Sequence, residues 1–180
     1  GSSGGTTEEF AMEGGDLPLS ADVLRWKSLV ESEAAKQNAS EYVPLILALI
    51  PVESGGNGTR DIMQSSESAG YPVNYWATEA LSVKQGITYI MSIANQLKSY
   101  NKGYEKNSKL IAQSYNFGSS FASYVGKRGG TYTLQVAEDY SKNVVAPSLG
   151  NSSGSTYPYV NPVSVKIGKT YLYWNGGNYL

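Results

Sequence analysis

Residues 45–56 read Leu-Ile-Leu-Ala-Leu-Ile-Pro-Val-Glu-Ser-Gly-Gly, an apolar segment that ends on a carboxylate and runs directly into a glycine-rich turn. We expect a helix buried on most sides, because apolar residues occupy all of its faces. Glu53 would lie at the C-terminal end of this helix, where burial and the helix dipole both disfavour the charged carboxylate. A carboxyl group that stays protonated near neutral pH can donate a proton to a leaving group. Glu53 is therefore the first candidate for a general acid.

The composition is that of a globular protein. Of the 180 residues, 41% are hydrophobic and 16% are charged, enough for one domain with a core of its own. The formal net charge of −1 provides no strong field to attract nucleic acid or acidic lipid. No apolar stretch reaches the roughly 18 residues that a membrane-spanning helix needs.

The chain contains neither cysteine nor histidine. This excludes disulfides, a Cys–His or Ser–His dyad and a histidine-ligated zinc site within the chain. Carboxylates, lysine, tyrosine, serine and threonine remain as catalytic groups. We expect no metal and no cofactor.

Helical signals dominate the middle of the chain, and they predict an all-α domain. The periodicity of apolar residues indicates a series of successive helices, the last of which extends through Val144. A short helix or turn over residues 119–125 comes before that last helix. A serine or threonine that can cap a helix precedes or begins each of the others. These predicted starts are Ser20, Ser40, Ser82, Ser108 and Thr133.

The changes in composition divide the chain into three parts. Residues 1–18 are rich in Gly, Glu, Thr and Ser and are predicted to be a flexible lead-in that resembles a tag remnant. Residues 19–147 form the predicted catalytic domain, and residues 148–180 a linker with a C-terminal extension. Alternating apolar residues from Val163 to Ile167 favour one or two short strands in that extension.

Three short motifs occur in order along the predicted domain. Residues 53–57 read Glu-Ser-Gly-Gly-Asn, residues 61–68 read Asp-Ile-Met-Gln-Ser-Ser-Glu-Ser, and residues 114–118 read Ser-Tyr-Asn-Phe-Gly. The first two fall at the start of a long loop region over residues 54–80, a length typical of functional loops. Together the motifs resemble the lysozyme-like superfamily, which includes goose-type lysozymes and soluble lytic transglycosylases. The likeness is greatest to the muramidase domains of bifunctional cell-wall hydrolases of Gram-positive conjugative elements.

The resemblance implies a lysozyme-like helical fold and a role for each matching residue. Glu53 takes the place of the acid that protonates the glycosidic oxygen between N-acetylmuramic acid and N-acetylglucosamine. Ser114 stands where the family usually has alanine. The resemblance also implies a set of substrate-binding residues that line the cleft. All of them lie in the two later motifs except the last, which lies in the late helix: Met63, Gln64, Ser65, Glu67, Tyr115, Asn116 and Tyr140.

The second catalytic group is less well defined by the sequence. Glycoside hydrolysis usually uses two carboxylates, and Asp61, Glu67 and Glu79 are the candidates. Asp61 is preferred because it follows Glu53 by eight residues on the loop expected to fold over the cleft. Asp61 and Glu67 could equally be solvated loop charges or turn residues. Lytic transglycosylases need no water-activating base, since the 6-hydroxyl of the sugar attacks instead.

The leading hypothesis is a secreted or cell-wall-associated muramidase that cuts peptidoglycan glycan strands. The resemblance also implies conjugation (type IV secretion) machinery as a partner. Two alternatives stay open, a lytic transglycosylase that forms 1,6-anhydromuramic products and a non-catalytic wall-binding module. A papain-like cysteine peptidase domain often follows in the resembled family, but this chain lacks the cysteine and histidine that such a domain requires.

Overall fold

The computed structural model describes residues 19–148, 162–167 and 170–175. The predicted lead-in over residues 1–18 and most of the predicted linker lie outside the described residues. The described helices are α1 (Ala21–Leu24), α2 (Lys27–Lys36), α3 (Val43–Glu53), α4 (Glu79–Tyr100), α5 (Ser108–Phe117), α6 (Ser119–Gly126), α7 (Leu134–Tyr140) and α8 (Ala146–Ser148). Short 3₁₀ turns cover Ser40–Tyr42, Glu67–Ala69 and Tyr104–Lys106, and a π-helical segment covers Ser141–Val145. The predicted all-α domain is confirmed.

Helix α3 lies at the centre of the hydrophobic core. Every residue from Leu45 to Ile50 is at most 2% exposed. Pro44 lies in the first turn, where its missing N–H is not needed, and Pro51 lies inside the helix without ending it before Glu53. The apolar face of α4 also contributes to this core, through residues such as Ile87 and Ile90. The helix that ends on Glu53 is therefore fixed by packing on nearly all sides.

The predicted caps are correct at Thr133 and wrong at Ser82 and Ser108, although the helix predicted to begin at Ser108 does begin there. The Thr133 side chain accepts a hydrogen bond from the Val136 N–H at 3.0 Å. Helix α4 instead begins after Thr78, whose side chain accepts a bond from the Leu81 N–H. Helix α5 begins after Asn107, which accepts from the Leu110 N–H. In both cases a second residue that can cap a helix lies close by and is the one that the fold uses.

The first predicted helix is divided into two. Helix α1 ends at Leu24 and α2 begins at Lys27, with Arg25 and Trp26 between them. Ser20 precedes α1 but makes no capping hydrogen bond through its side chain. The break places Arg25 and Trp26 where their side chains can reach the turn that follows α3.

The predicted short strands are present as an antiparallel hairpin. Strand β1 (Pro162–Ile167) pairs with β2 (Thr170–Asn175), with Val163 opposite Trp174. The backbone of β1 lies against α3, and that of β2 lies against α5 and α7. The predicted division of the chain at residue 147 stays a prediction. Within the described ranges, no helix has the length and apolar character that crossing a membrane requires.

Candidate active site

Glu53 is the last residue of α3, and its carboxyl group is buried. Burial raises its pKa from 4.5 to about 8; a side-chain hydrogen bond from Asn116 opposes this shift, and the nearby charge of Asp61 adds to it. Within the described part of the chain, Glu53 Oε2 has no hydrogen-bond partner, and neither does the buried Oδ1 of Asn116. The sequence predicts a raised pKa for Glu53, and the structure gives a shift in the same direction. A protonated carboxyl group with an unused oxygen is the central feature of this site.

The turn after Glu53 is built on Ser54. The Ser54 hydroxyl donates to the Ile62 carbonyl at 2.7 Å and accepts from the Gly56 N–H at 3.1 Å. The Gly55 N–H continues the helix hydrogen bonding, since it donates to the carbonyls of Ile50 and Pro51. The turn thereby joins the end of α3 to the loop that carries Asp61.

Side chains from α1 and from the break between α1 and α2 also hold this turn. The Gly56 carbonyl accepts from Arg25 Nη2 at 2.9 Å and from Trp26 Nε1 at 2.7 Å. Asn57 Nδ2 donates to Asp22 Oδ2 at 2.9 Å. Gly56 itself has a φ of +85°, in the region that favours glycine. We call these three hydrogen bonds the turn clamp.

Asp61 is buried, and both of its oxygens are used inside the protein. Oδ1 accepts from the Ser65 N–H at 3.0 Å and from the Ser82 hydroxyl at 2.6 Å. Oδ2 accepts from the Ser66 N–H at 3.2 Å and from the Ser66 hydroxyl at 2.6 Å. The carboxylate therefore folds residues 61–66 around itself and fastens them to α4. This geometry favours a positioning role for Asp61 over activation of water.

Gln64 lies at the centre of a second set of hydrogen bonds. It has a φ of +49°, and its Nε2 donates to the Asp61 carbonyl at 3.0 Å and to Asn74 Oδ1 at 2.6 Å. Asn74 Oδ1 also accepts from the Thr59 hydroxyl. The amide of Gln64 thus connects the Asp61 segment to the outer part of the loop.

Tyr115 connects helix α5 to the loop through its hydroxyl, which donates to the Met63 carbonyl at 2.6 Å. Burial raises the Tyr115 pKa well above its usual value, with the charges of Glu53 and Asp61 adding to the effect. The Met63 side chain is fully buried and packs against Gly86 of α4. Met63 therefore contributes its backbone to the site, while Tyr115 holds that backbone beside Glu53.

Three further predicted site residues have different surroundings. Ser65 is buried, and its hydroxyl donates to the Ser82 carbonyl at 2.7 Å. Glu67 is exposed and begins a 3₁₀ turn. Tyr140 is buried among aromatic rings, with ring centroids 5.0 Å from Phe121 and 5.1 Å from Tyr124. The structure thus brings Ser65 into the Asp61 segment and places Tyr140 in an aromatic cluster.

Sequence reasoning missed the residues that support the site from a distance. The capping pattern predicts only a helix cap at Ser82, the apolar periodicity predicts only a helix face for Trp26, and no pattern predicts a site role for Arg25 or Trp76. The two tryptophans offered a signal, because a buried indole N–H needs an acceptor. Their acceptors lie 30 and 11 residues away along the chain, however, and local pattern does not reveal them. Among the described residues, no group of acidic side chains converges as a metal site would require.

Comparison with known proteins agrees with the helical fold. The sequence profile of the lysozyme-like family matches residues 20–180. The chain belongs to the lysozyme-like family. This match confirms the superfamily suggested by the three motifs and includes the C-terminal hairpin.

Two relatives of this lysozyme-like chain differ in how much of their own length is covered by the match. The pneumococcal vaccine antigen A homolog of Streptococcus pyogenes serotype M6 is 40% identical over 156 residues, which cover 87% of this chain and 75% of that protein. The bifunctional muramidase/DL-endopeptidase CwlT of Bacillus subtilis is 35% identical over 145 residues, which cover 81% of this chain and 41% of that protein.

One solved structure shares the fold. It is a protein from Staphylococcus aureus described as similar to a lipoprotein of the NLP/P60 family, with a TM-score of 0.65 and 34% sequence identity. The matched region covers 78% of this chain and 44% of that chain. The lysozyme-like chain therefore spans less than half the length of this structure and of CwlT.

Proposed function

We propose that this lysozyme-like domain is a peptidoglycan hydrolase that cleaves the β-1,4 bond between N-acetylmuramic acid and N-acetylglucosamine. Glu53 is the general acid that protonates the glycosidic oxygen. The observation that carries the proposal is its buried, unpartnered carboxyl oxygen on a group whose pKa is raised to about 8. At neutral pH such a group holds its proton and has a free site from which to donate it.

The surroundings of Glu53 support a substrate-binding role for Asn116. One side of its amide hydrogen-bonds with Glu53, and its buried Oδ1 has no partner among the described residues. Buried polar atoms are nearly always paired, so an unpaired acceptor beside an acid is well placed for a substrate N–H or hydroxyl. Gln64 and Tyr115 shape the cleft in this proposal, and the Asp61 carboxylate holds the loop in place.

The relative named as a muramidase supports the substrate class. CwlT shares the lysozyme-like region with this chain, and peptidoglycan glycan strands are the substrate that a muramidase cuts. Such a substrate places the protein outside the cell, at the wall. Association with conjugation machinery stays a prediction from the resemblance.

The test of the proposal is Glu53→Gln, which keeps the shape of the side chain and removes its proton. We expect the release of soluble glycan fragments from purified cell walls to fall by about a hundredfold or more, the contribution of a positioned general acid. The matched control is Glu31→Gln on the exposed part of α2, which should retain wild-type activity. Equally poor wall release by wild type and Glu53→Gln, with both still bound to walls, would favour the non-catalytic binding module instead.

The hydrogen bonds made by the Asp61 carboxylate favour a second candidate reaction. Because both Asp61 oxygens are occupied within the loop, the preferred second carboxylate has no free oxygen to activate water. A lytic transglycosylase needs no such base. Mass spectrometry of the released glycan separates the two reactions: reducing muramic ends support hydrolysis, and 1,6-anhydromuramic ends support transglycosylation.

A further inference from the structure

The outer part of the loop carries an exposed pair of stacked tyrosines that the proposed reaction does not use. The rings of Tyr71 and Tyr75 lie 4.2 Å apart and are within 6° of parallel. These residues are 43% and 54% exposed, and Val73 between them is also 54% exposed. We call Tyr71 and Tyr75 the tyrosine pair. Contiguous exposed apolar side chains mark binding surfaces more often than isolated ones do.

The tyrosine pair is held in position by the loop beneath it. The rings stand at 66° and 71° to the indole of Trp76, with their edges toward it. Trp76 is itself fixed, since its backbone N–H donates to the Ser66 hydroxyl and its Nε1 donates to the Ser65 hydroxyl. The Tyr71 N–H donates to the Ser66 carbonyl. Rings fixed in this way lose little conformational entropy when a ligand binds.

The pair is also connected to the proposed cleft. Asn74, next to Tyr75, accepts a hydrogen bond of 2.6 Å from Gln64. Gln64 in turn donates to the backbone of Asp61, whose charge acts on Glu53. The tyrosine pair therefore lies on the same loop as the proposed cleft residues, at the outer end of this chain of contacts.

We propose that the tyrosine pair binds a sugar ring of the glycan strand, beyond the two sugars whose bond is cut. This inference rests on the proposed function, because it names a further binding site for the same polymer. The C–H face of a pyranose is flat and apolar and matches the outer face of a stacked phenol ring. The phenol hydroxyls can bond to the sugar hydroxyls and N-acetyl groups.

The composition of the loop favours a glycan over other occupants. Residues 70–78 read Gly-Tyr-Pro-Val-Asn-Tyr-Trp-Ala-Thr and contain no lysine or arginine. A segment that binds an anionic membrane surface combines apolar side chains with basic ones. A second protein chain needs roughly 800 Å² on each partner, far more than two rings and a valine present. A polymer with apolar sugar faces fits this surface better than either.

The test compares binding of short and long glycan strands. Glu53→Gln serves as the background so that the glycan stays intact, and the probes are a tetrasaccharide and an octasaccharide of alternating N-acetylglucosamine and N-acetylmuramic acid. We expect Tyr71→Ala with Tyr75→Ala to weaken octasaccharide binding about tenfold by calorimetry, equal to about 1.4 kcal/mol. Tetrasaccharide binding should change by less than about twofold.

Two matched variants separate stacking from other effects. Tyr71→Phe with Tyr75→Phe keeps both rings and should hold octasaccharide affinity within about threefold of the background. Tyr100→Ala removes a 36% exposed ring at the far end of α4, roughly 30 Å along the helix from Glu79. That ring contacts Gly126 and Ser123, so the variant should lose some thermal stability but keep its octasaccharide affinity. Thermal melting of each variant checks that the exposed substitutions leave the fold intact.

Several outcomes would overturn the inference. These are octasaccharide binding that does not respond to the double alanine variant, an equal loss for both probes, or binding to phosphatidylglycerol vesicles that depends on the pair while glycan binding does not. Failure of the proposed function is recognised separately. If walls are cleaved equally with Glu53 and with Gln in its place while octasaccharide binding still depends on the pair, the binding site stands and the catalytic proposal falls.

Discussion

The protonation of Glu53 is set by burial and by two neighbouring side chains that act in opposite directions. Burial at the end of α3 disfavours the charged carboxylate, and the negative charge of Asp61 disfavours it further. Asn116 stabilises the charged form through its hydrogen bond, but this effect is smaller than that of burial. The pKa of Glu53 can therefore be changed by a substitution at Asn116, without replacing Glu53 itself.

The pH dependence of cleavage should report on this balance. Because the Glu53 pKa is about 8, we expect kcat/KM to fall about tenfold per pH unit above that value, as the proton is lost. Asn116→Leu removes a hydrogen bond that lowers the pKa, so the alkaline limb should move to higher pH even if the rate also falls. The measurement is a pH profile of glycan cleavage by each protein. An unmoved limb in Asn116→Leu would show that the limb belongs to another group.

The same carboxyl group should make folding stability depend on pH. Its pKa is 4.5 in the unfolded chain and about 8 in the folded one, so its favourable contribution is complete below pH 4.5 and is lost as the pH rises to 8. Glu53→Gln cannot ionise and should be more stable than wild type above pH 8, by on the order of 5 kcal/mol. Urea unfolding at pH 5 and pH 8.5 measures the difference. Glu31→Gln, whose substituted side chain is exposed, retains Glu53 and should match wild type at both pH values.

At the scale of elements, the turn after α3 depends on a close backbone approach at Gly56. A Cβ added there would lie 2.5 Å from the Asp22 carbonyl oxygen, and the φ of +85° is itself unfavourable for alanine. We expect Gly56→Ala to reduce the free energy of unfolding by about 2 to 3 kcal/mol. Gly70→Ala is the matched control, because it has a φ of +88° with open space around it and should cost only about 1 kcal/mol. Equal losses in urea unfolding would mean that the contact with Asp22 is unimportant.

The loop over residues 61–66 should depend on the charge of Asp61. Asp61→Asn replaces one acceptor oxygen with an NH₂ group, which faces an N–H donor at Ser65 or Ser66 that then loses its partner. We expect a loss of about 2 to 3 kcal/mol in unfolding free energy, typical of hydrogen bonds to a charged group. Asp139→Asn is the control, since that exposed carboxylate accepts only from Gln135 among the described residues.

A distinct result is expected if Asp61 is the water-activating base. Wall cleavage by Asp61→Asn would then fall by orders of magnitude under conditions where the variant is fully folded. A positioning role predicts a partial loss that follows the disorder of the loop. Circular dichroism and the rate of wall cleavage, measured on the same sample, separate the two.

Over the whole molecule, the sequence predicts best where local pattern and burial agree. The apolar run from Leu45 to Ile50 predicts a buried helix, and Thr133 predicts a helix start, and both are correct. Ser82 shows why prediction fails elsewhere. Its hydroxyl is committed to Asp61, 21 residues away in sequence, so its role depends on tertiary contact that helix-capping rules cannot foresee.

The candidate site also contains some features that the sequence predicts and others that it does not. The raised pKa of Glu53 can be predicted from a local pattern, because the apolar residues that precede it predict a buried carboxyl group. The use of both Asp61 oxygens inside the loop could not be read from the sequence, since spacing along the chain does not give the distances between carboxylates. The position of Tyr140 within an aromatic cluster likewise depends on how α5, α6 and α7 pack.

The turn clamp connects the candidate active site to the short helix α1 and to the two residues that follow it. Helix α1 has only four residues, and short terminal elements open at a small free-energy cost while the core stays folded. Fraying of α1 would release Gly56 and Asn57 and loosen the end of α3 without exposing the core. On gentle heating, wall cleavage should therefore disappear several degrees below the unfolding midpoint seen by circular dichroism, and recover on cooling. Hydrogen exchange at Arg25 and Trp26 should rise over the same interval; coincident loss of activity and of helical signal would rule out this local inactivation.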